Sequence, residues 1–557
     1  MSLENQLIRE RMYAMYGENR QLPEIPPDAP SVRCENGTFV GRRQENVAVF
    51  RGIPFARPPV GPLRWRRPEP PEAGGGVYEA VYNGKTPIQT EWKTEVASYY
   101  PQGEDCLYLN VWASESVKGS GRPVMVFFHG GSYGWGGTAD PMYDGFHFAR
   151  NQEDIVLVTA GYRTGLMGFV DFSEVPGGES YPDAPNLGIL DQIEALRWVR
   201  RNIAAFGGDP ENVTIFGESA GGGSVSLLPL IPEARGLFRR VIAESGSVAL
   251  TFSREECQDF TRRLLETSKC RSMEELAALS EDELKEINEK VNYYNNFPQR
   301  DGRIIPLDPY AGYADGTTAG IDMILGTNQN ETNYWVGELN GILLFSLGVP
   351  VKYENDLRTL KPEDQVRADT FLKETRNRIP HKLWRRVEFY NEMMFRLPAV
   401  RQAESQARSG GRVYMYYWTE PSALRYCGAC HAVELAYVFG NVDETIYTGR
   451  RADPGLSASV QAMWANFART GDPGLPDLEW PRYDEDQRPT MVLCREPHVE
   501  KDILKTQRET LFPLLDYWIN PSYATMDYRV PFVRKLFAGM GGILLFLIAL
   551  IILIIIY

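Results

Sequence analysis

Histidine is scarce in this chain: its 557 residues contain five, at positions 129, 147, 381, 431 and 498. Any reaction that needs an imidazole has only these candidates. Surplus positive charge is missing too, with 59 Lys and Arg against 73 Asp and Glu and a net charge of -14. Such a chain gains nothing from counterion release on DNA or RNA, which argues against nucleic acid as a partner. The seven cysteines (34, 106, 257, 270, 427, 430 and 494) are an odd and scattered set rather than a paired framework. The opening stretch MSLENQLIRERMYAMYGENR lacks the apolar core a secretory signal needs. Together these point to free thiols in a reducing compartment, and the sequons at Asn36, Asn212 and Asn330 then read as chance matches. Repeats and low-complexity tracts are absent. What remains is ordinary globular composition, 43% hydrophobic and 24% charged, with length for one large core or two domains.

The far end differs. Residues 536–557, LFAGMGGILLFLIALIILIIIY, carry no charge, and 543–556 are all Ile, Leu or Phe except Ala549. As a helix this stretch would reach about 33 Å, enough to cross a bilayer core. Arg534 and Lys535 precede it, as on a cytosolic flank. The expectation is a C-terminal transmembrane helix at 536–557, a linker at 521–535, and a domain at 1–520 on the cytosolic side of the membrane.

Short apolar runs recur at 124–128, 155–160, 213–217, 240–244, 322–326, 413–418 and 491–494. Their length and apolarity suit strands covered on both faces. Between the second and third, apolar residues at 189, 190, 193, 196, 199 and 203 keep helical spacing. Strands alternating with helices predict an α/β fold with a mainly parallel sheet flanked by helices. The charged stretches at 255–300 and 350–410 read as helical excursions beside that sheet.

Three segments carry chemistry. Gly217-Glu218-Ser219-Ala220-Gly221 stands between the run VTIF and a helical stretch. There a serine is lifted onto a sharp turn as a nucleophile, and side chains at 217 and 221 would collide as the chain doubles back. His129-Gly130-Gly131-Ser132-Tyr133-Gly134 follows VMVFF. Glycines after a strand free backbone N–H groups to face a developing oxyanion, and the candidates are those of Gly131, Ser132 and Ala220. No Lys-Ser or Lys-Thr pair follows, which argues against a phosphate loop. His129 opens this loop, and its ring reads as orienting the loop rather than taking a proton. His431, after the run VYMYYW, is placed to overhang the turn as a base, although position alone leaves a structural role open. An acid fits at Glu331, just past 322–326, where it would hold one nitrogen of His431. The order serine, acid, histidine is that of α/β-hydrolases. Cys427-Gly428-Ala429-Cys430 has redox-motif spacing.

With these residues in view, roughly 30–500 resembles the type-B carboxylesterase family, which includes cholinesterases and the non-catalytic neuroligins. FGGDPENVTIFGESAG (206–221) looks like its nucleophile signature and EDCLYLNV (104–111) like its second signature, with FRGIPFARPPVGPLRW (50–65), NLGILDQIEALRWV (186–199) and HAVELAYVFG (431–440) in support. The resemblance implies an α/β-hydrolase fold and hydrolysis of small-molecule carboxylic esters through an acyl-enzyme. It implies Ser219, Glu331 and His431 as the triad and Gly131, Ser132 and Ala220 as oxyanion donors, with no metal and no cofactor. It also accounts for the Gly and Ala ahead of His431, which leaves little room for redox chemistry there. Three departures matter. Ser132 stands where the family usually has a third glycine, which makes its N–H the least secure donor. Cys106 has no upstream cysteine in YNGKTPIQ to pair with. EVASYYPQG replaces the region that carries the choline-binding tryptophan of cholinesterases, so Trp92, Tyr99 and Tyr100 read as wall or core. Two rivals remain: a neuroligin-like interaction protein, against which the retained triad speaks, and a lipase acting on membrane lipids, suggested by the terminal apolar run. The sequence carries no signal for oligomeric state.

Overall fold

A computed structural model describes residues 3–92, 95–117, 119–291, 296–337 and 342–521. Its centre is an eleven-stranded sheet. In chain order the strands are β1 (Arg42–Gln44), β2 (Val47–Pro54), β3 (Tyr108–Ser114), β4 (Arg122–Phe128), β5 (Val156–Ala160), β6 (Gly208–Glu218), β7 (Arg240–Glu244), β8 (Asp322–Asn328), β9 (Val413–Trp418), β10 (Pro489–Leu493) and β11 (His498–Lys501). Their spatial order is β11-β10-β9-β8-β7-β6-β4-β5-β3-β2-β1. Strands β4 to β10 are parallel to their neighbours, and antiparallel strands flank them on both sides. The expected mainly parallel sheet is therefore present, and every apolar run named above coincides with one of β4 to β10 to within a residue or two, β6 beginning earlier.

The runs are apolar throughout because the sheet has a core on each face. Along β4, Val124, Val126 and Phe128 point into one core while Met125 and Phe127 point into the other. The first core is closed by the helix Leu187–Asn202, whose predicted apolar positions all lie in it together with Ile203. The second is closed by Pro454–Thr470, through residues such as Val460, Trp464 and Phe467. The charged excursions are helical as expected: Arg254–Ser268, Met273–Ala277 and Glu281–Val291 in one, and a set from Ile342–Thr359 to Leu397–Arg408 in the other. The second set builds a satellite core with Phe371, Phe389, Met393 and Leu514. Ahead of the sheet, the helix Leu3–Ala14 seats Met12 against Val96, Tyr99 and Tyr100.

The C-terminal transmembrane helix needs correction. Among the described residues no helix is long and apolar enough to cross a membrane. The longest of them, Ile342–Thr359, carries Lys352, Glu354, Asp356 and Arg358, whereas a span needs about 20 predominantly apolar residues. The segment that carried the expectation, 536–557, lies outside the described residues. The described residues thus form an α/β sheet enclosed by helices, with no span among them. The membrane-anchored, cytosol-facing location that rested on that span is withdrawn with it.

Candidate active site

Ser219 occupies the single residue between β6 and the helix Ala220–Leu227, at φ 57 and ψ -118. A non-glycine residue held there costs about 1–3 kcal/mol, so the surroundings must enforce it. They do so with backbone. The Ser219 N–H donates 2.8 Å to the Glu244 carbonyl at the end of β7, and the Ser219 carbonyl accepts from Gly223 N–H at 2.8 Å. A Cβ on Gly217 would lie 2.6 Å from the Gly221 carbonyl carbon, and one on Gly222 2.6 Å from the Glu244 carbonyl oxygen. One on Gly221 would run into the Phe128 carbonyl oxygen. The small residues predicted at 217 and 221 are required by these contacts.

Two loops that are a hundred residues apart in the chain bring the acid to the histidine. Gln329 N–H donates to the Trp418 carbonyl at 2.9 Å, Asn330 N–H to the Ala429 carbonyl at 2.9 Å, and Ala429 N–H to Asn330 Oδ1 at 3.1 Å. So laced, the loop after β8 sets Glu331 Oε2 2.6 Å from His431 Nδ1. Its other oxygen accepts from Asn328 N–H at 2.7 Å. Glu331 is fully buried, while Ser219 and His431 are each 5% exposed. A buried carboxylate only accepts, so Nδ1 carries the proton and Nε2 is left with its lone pair. That nitrogen approaches Glu218 Oε1 to 3.1 Å, although neither atom meets hydrogen-bond geometry with a partner. Ser219 Oγ makes no hydrogen bond among the described residues. Burial, then the carboxyls of Glu434, Glu331 and Glu244, push Glu218 well above the usual carboxylate range, which keeps it neutral beside the imidazole.

The loop after β4 lies against the serine. A Cβ on Gly130 would be 3.1 Å from Ser219 Cβ. Gly131, Ser132 and Tyr133 all run at positive φ, 98, 50 and 56 degrees. Gly134 and Trp135 N–H both donate to the Gly131 carbonyl at 2.9 Å, while the N–H groups of Gly131 and Ser132 have no acceptor among the described residues. The N–H of Ala220 belongs to the first turn of its helix, where no intrahelical acceptor exists. His129 stacks on Tyr162 at 4.4 Å and its Nδ1 meets the Gly130 carbonyl at 2.8 Å. Burial lowers its pKa to about 4, so it is a neutral brace for the loop, as expected of it.

Aromatic rings wall the histidine: Trp335 lies 4.8 Å and Phe395 5.1 Å from its ring. Phe395 comes from a π-helical turn, Asn391–Arg396, a form that often marks functional positions. Tyr99 and Tyr100 are core residues, and Trp92 meets Trp135 at 6.1 Å. All seven cysteines are free, Cys427 and Cys430 among the buried ones. No group of His, Cys, Asp or Glu among the described residues could hold a metal ion. Sequence reasoning missed Trp335, Phe395, Glu218 and Glu434. The last two stand inside quoted motifs, but nothing in their residue type announces a buried neutral carboxyl.

Comparison with known proteins places the chain in a family. Residues 28–511 match the Carboxylesterase family. The chain is 35% identical to the para-nitrobenzyl esterase of Bacillus subtilis over 505 residues, covering 86% of this chain and 98% of that one. It is 32% identical to the liver carboxylesterase of Sus scrofa, covering 83% and 89%. A solved carboxylesterase of Geobacillus stearothermophilus superposes with a TM-score of 0.78 at 35% identity, over 86% of this chain and 99% of that one. The fold is therefore that of an α/β-hydrolase, and the chain belongs to the carboxylesterase family as a serine carboxylic-ester hydrolase.

Proposed function

We propose that Ser219 is the nucleophile, His431 its general base and acid, and Glu331 the carboxylate that holds the imidazole. Ser219 Oγ attacks the ester carbonyl as His431 Nε2 takes its proton. The C–O bond to the alcohol then breaks, His431 returns the proton to the leaving oxygen, and an acyl-enzyme remains. Water activated by the same imidazole releases the acid. The N–H groups of Gly131, Ser132 and Ala220 take the oxyanion in both steps. The observation that carries this reading is the 2.6 Å contact between His431 Nδ1 and buried Glu331, which fixes the tautomer the cycle needs. The lipase reading leaned on the terminal apolar run and has no separate support in the site.

The test is Ser219→Ala. Turnover of a short-chain nitrophenyl ester should fall by at least about 10⁴-fold, and labelling by a fluorophosphonate should vanish while the circular dichroism spectrum is kept. Retained turnover or labelling would overturn the assignment.

A further inference from the structure

The loop after β4 needs something to hold it. Three consecutive residues at positive φ, two of them not glycine, do not persist unless their surroundings over-determine them. Near the start of the loop the His129 ring supplies part of this, and in the middle Tyr133 is buried with its carbonyl accepting from Gly165 N–H at 2.6 Å. The far end is gripped from a distant loop. Gln89 Nε2 donates to the Gly136 carbonyl at 2.8 Å, and Gly136 N–H donates back to Gln89 Oε1 at 2.8 Å. The second Nε2 hydrogen goes to the Pro87 carbonyl at 3.1 Å, so the amide cannot flip without setting donor against donor. Gln89 is 2% exposed. Its own N–H is held by Gln102 Oε1 at 3.0 Å, and Gln102 is tied to the Ser98 carbonyl at 2.6 Å. Gly136 itself sits at φ 100, with the His129 ring filling the space a Cβ would take. A side-chain amide here does the work of a strand neighbour at the end of a turn that has none.

We infer that Gln89 is a positioning residue for the oxyanion loop: its clamp on Gly136 keeps the Gly131 and Ser132 N–H groups aimed at the reacting carbonyl oxygen. This rests on the donor assignment proposed above. Gln89 is buried and its amide is engaged by Gly136 and Pro87, so its loss should act on the transition state and leave ground-state binding almost alone.

The experiment compares Gln89→Met, which keeps the volume without the hydrogen bonds, with Gln89→Glu. For Gln89→Met, kcat on a nitrophenyl ester should fall by about 10- to 100-fold with KM within about threefold, as for a displaced oxyanion donor. Affinity for a trifluoromethyl ketone, which forms a hemiketal oxyanion on the serine, should fall by a similar factor. Glutamate can rebuild both bonds only when protonated, with its O–H donating to the Gly136 carbonyl. The kcat of Gln89→Glu relative to the parent should therefore recover as pH drops from 8 to 6, while the Gln89→Met ratio stays flat. Unchanged kcat in Gln89→Met would overturn the inference. So would a fall in melting temperature and kcat with trifluoromethyl ketone affinity kept, because that is the mark of a structural role alone. Either result leaves the Ser219 assignment standing, since that depends on Ser219→Ala.

Discussion

The turn around Ser219 and the loop at 129–136 face each other across the reacting site, both at positive φ, and they are held by different means. At the serine turn the restraint is backbone on backbone. Glycines at 217, 221 and 222 let the helix Ala220–Leu227 close on β6 and β7 with no room for a methyl group. At the other loop side chains are added to a few backbone bonds such as Gly165 N–H to the Tyr133 carbonyl: the stacked His129 ring, the buried Tyr133 and the Gln89 amide. Backbone restraint is unforgiving, whereas side-chain restraint can be weakened by degrees. The first turn should therefore fail all at once and the second gradually.

The largest effect should come from Gly221→Ala. The added methyl meets the Phe128 carbonyl oxygen, which belongs to a central strand and cannot move aside. A loss of more than about 3 kcal/mol is expected, read from urea unfolding, together with loss of soluble folded enzyme. A variant within 1 kcal/mol of the parent would show that the turn can breathe and would remove the distinction drawn here.

How far this was legible in the sequence depends on the distance over which a signal acts. Strands β4 to β10 are apolar because both faces are covered, and that can be read locally. Strands β2 and β3 went unread: VAVFRGIP and YLNVWAS mix polar with apolar residues, and they pair across about sixty positions. Ser219, Glu331 and His431 each lie in a short motif beside a strand end, so each is legible locally, whereas the contact of Glu331 with His431 is not. The Gln89 clamp had no such motif, since its meaning lies in a partner 47 residues away. The run at 536–557 was plain as composition, yet it says nothing about the described fold.

A smaller effect separates the two turns by charge. Beneath the serine turn, burial and then the Glu331 charge raise Glu434 to about 8 from an ordinary 4.5. Burial also pushes Glu244 well up. Beside the other loop, burial lowers His129 to about 4 from 6.5. Between pH 4.5 and 8 the folded state keeps a proton on Glu434 that the unfolded chain has lost, so this group's contribution falls as pH rises. Between 6.5 and 4 the unfolded chain gains a proton that folded His129 refuses, so this group's contribution falls as pH drops. From pH 6.5 to 8 the raised carboxyls act, and exposed His498, raised by the Glu496 carbonyl and then Glu500, adds in the same direction. Stability should decline over that window, by at most about 2 kcal/mol for Glu434 alone. Glu434→Gln should flatten its share above pH 6.5 and steepen the loss between 6.5 and 4.5, where the carboxyl had offset His129, as followed by unfolding at stepped pH. An equal slope in the variant would place the alkaline loss elsewhere.

The smallest effect tests the side-chain-held loop at its least comfortable residue. Ser132 holds φ 50, where a Cβ crowds the following carbonyl at a cost of about 1 kcal/mol. Ser132→Gly removes that cost but widens the unfolded ensemble by part of the same amount. A net gain of about 0.5 kcal/mol is expected, with kcat within about threefold because the N–H is retained. If the clamps at Gln89, His129 and Tyr133 set the loop, a freer residue between them changes little. If kcat instead drops tenfold while stability rises, the serine side chain is itself part of the restraint, and the loop resembles its neighbour more than these contacts imply.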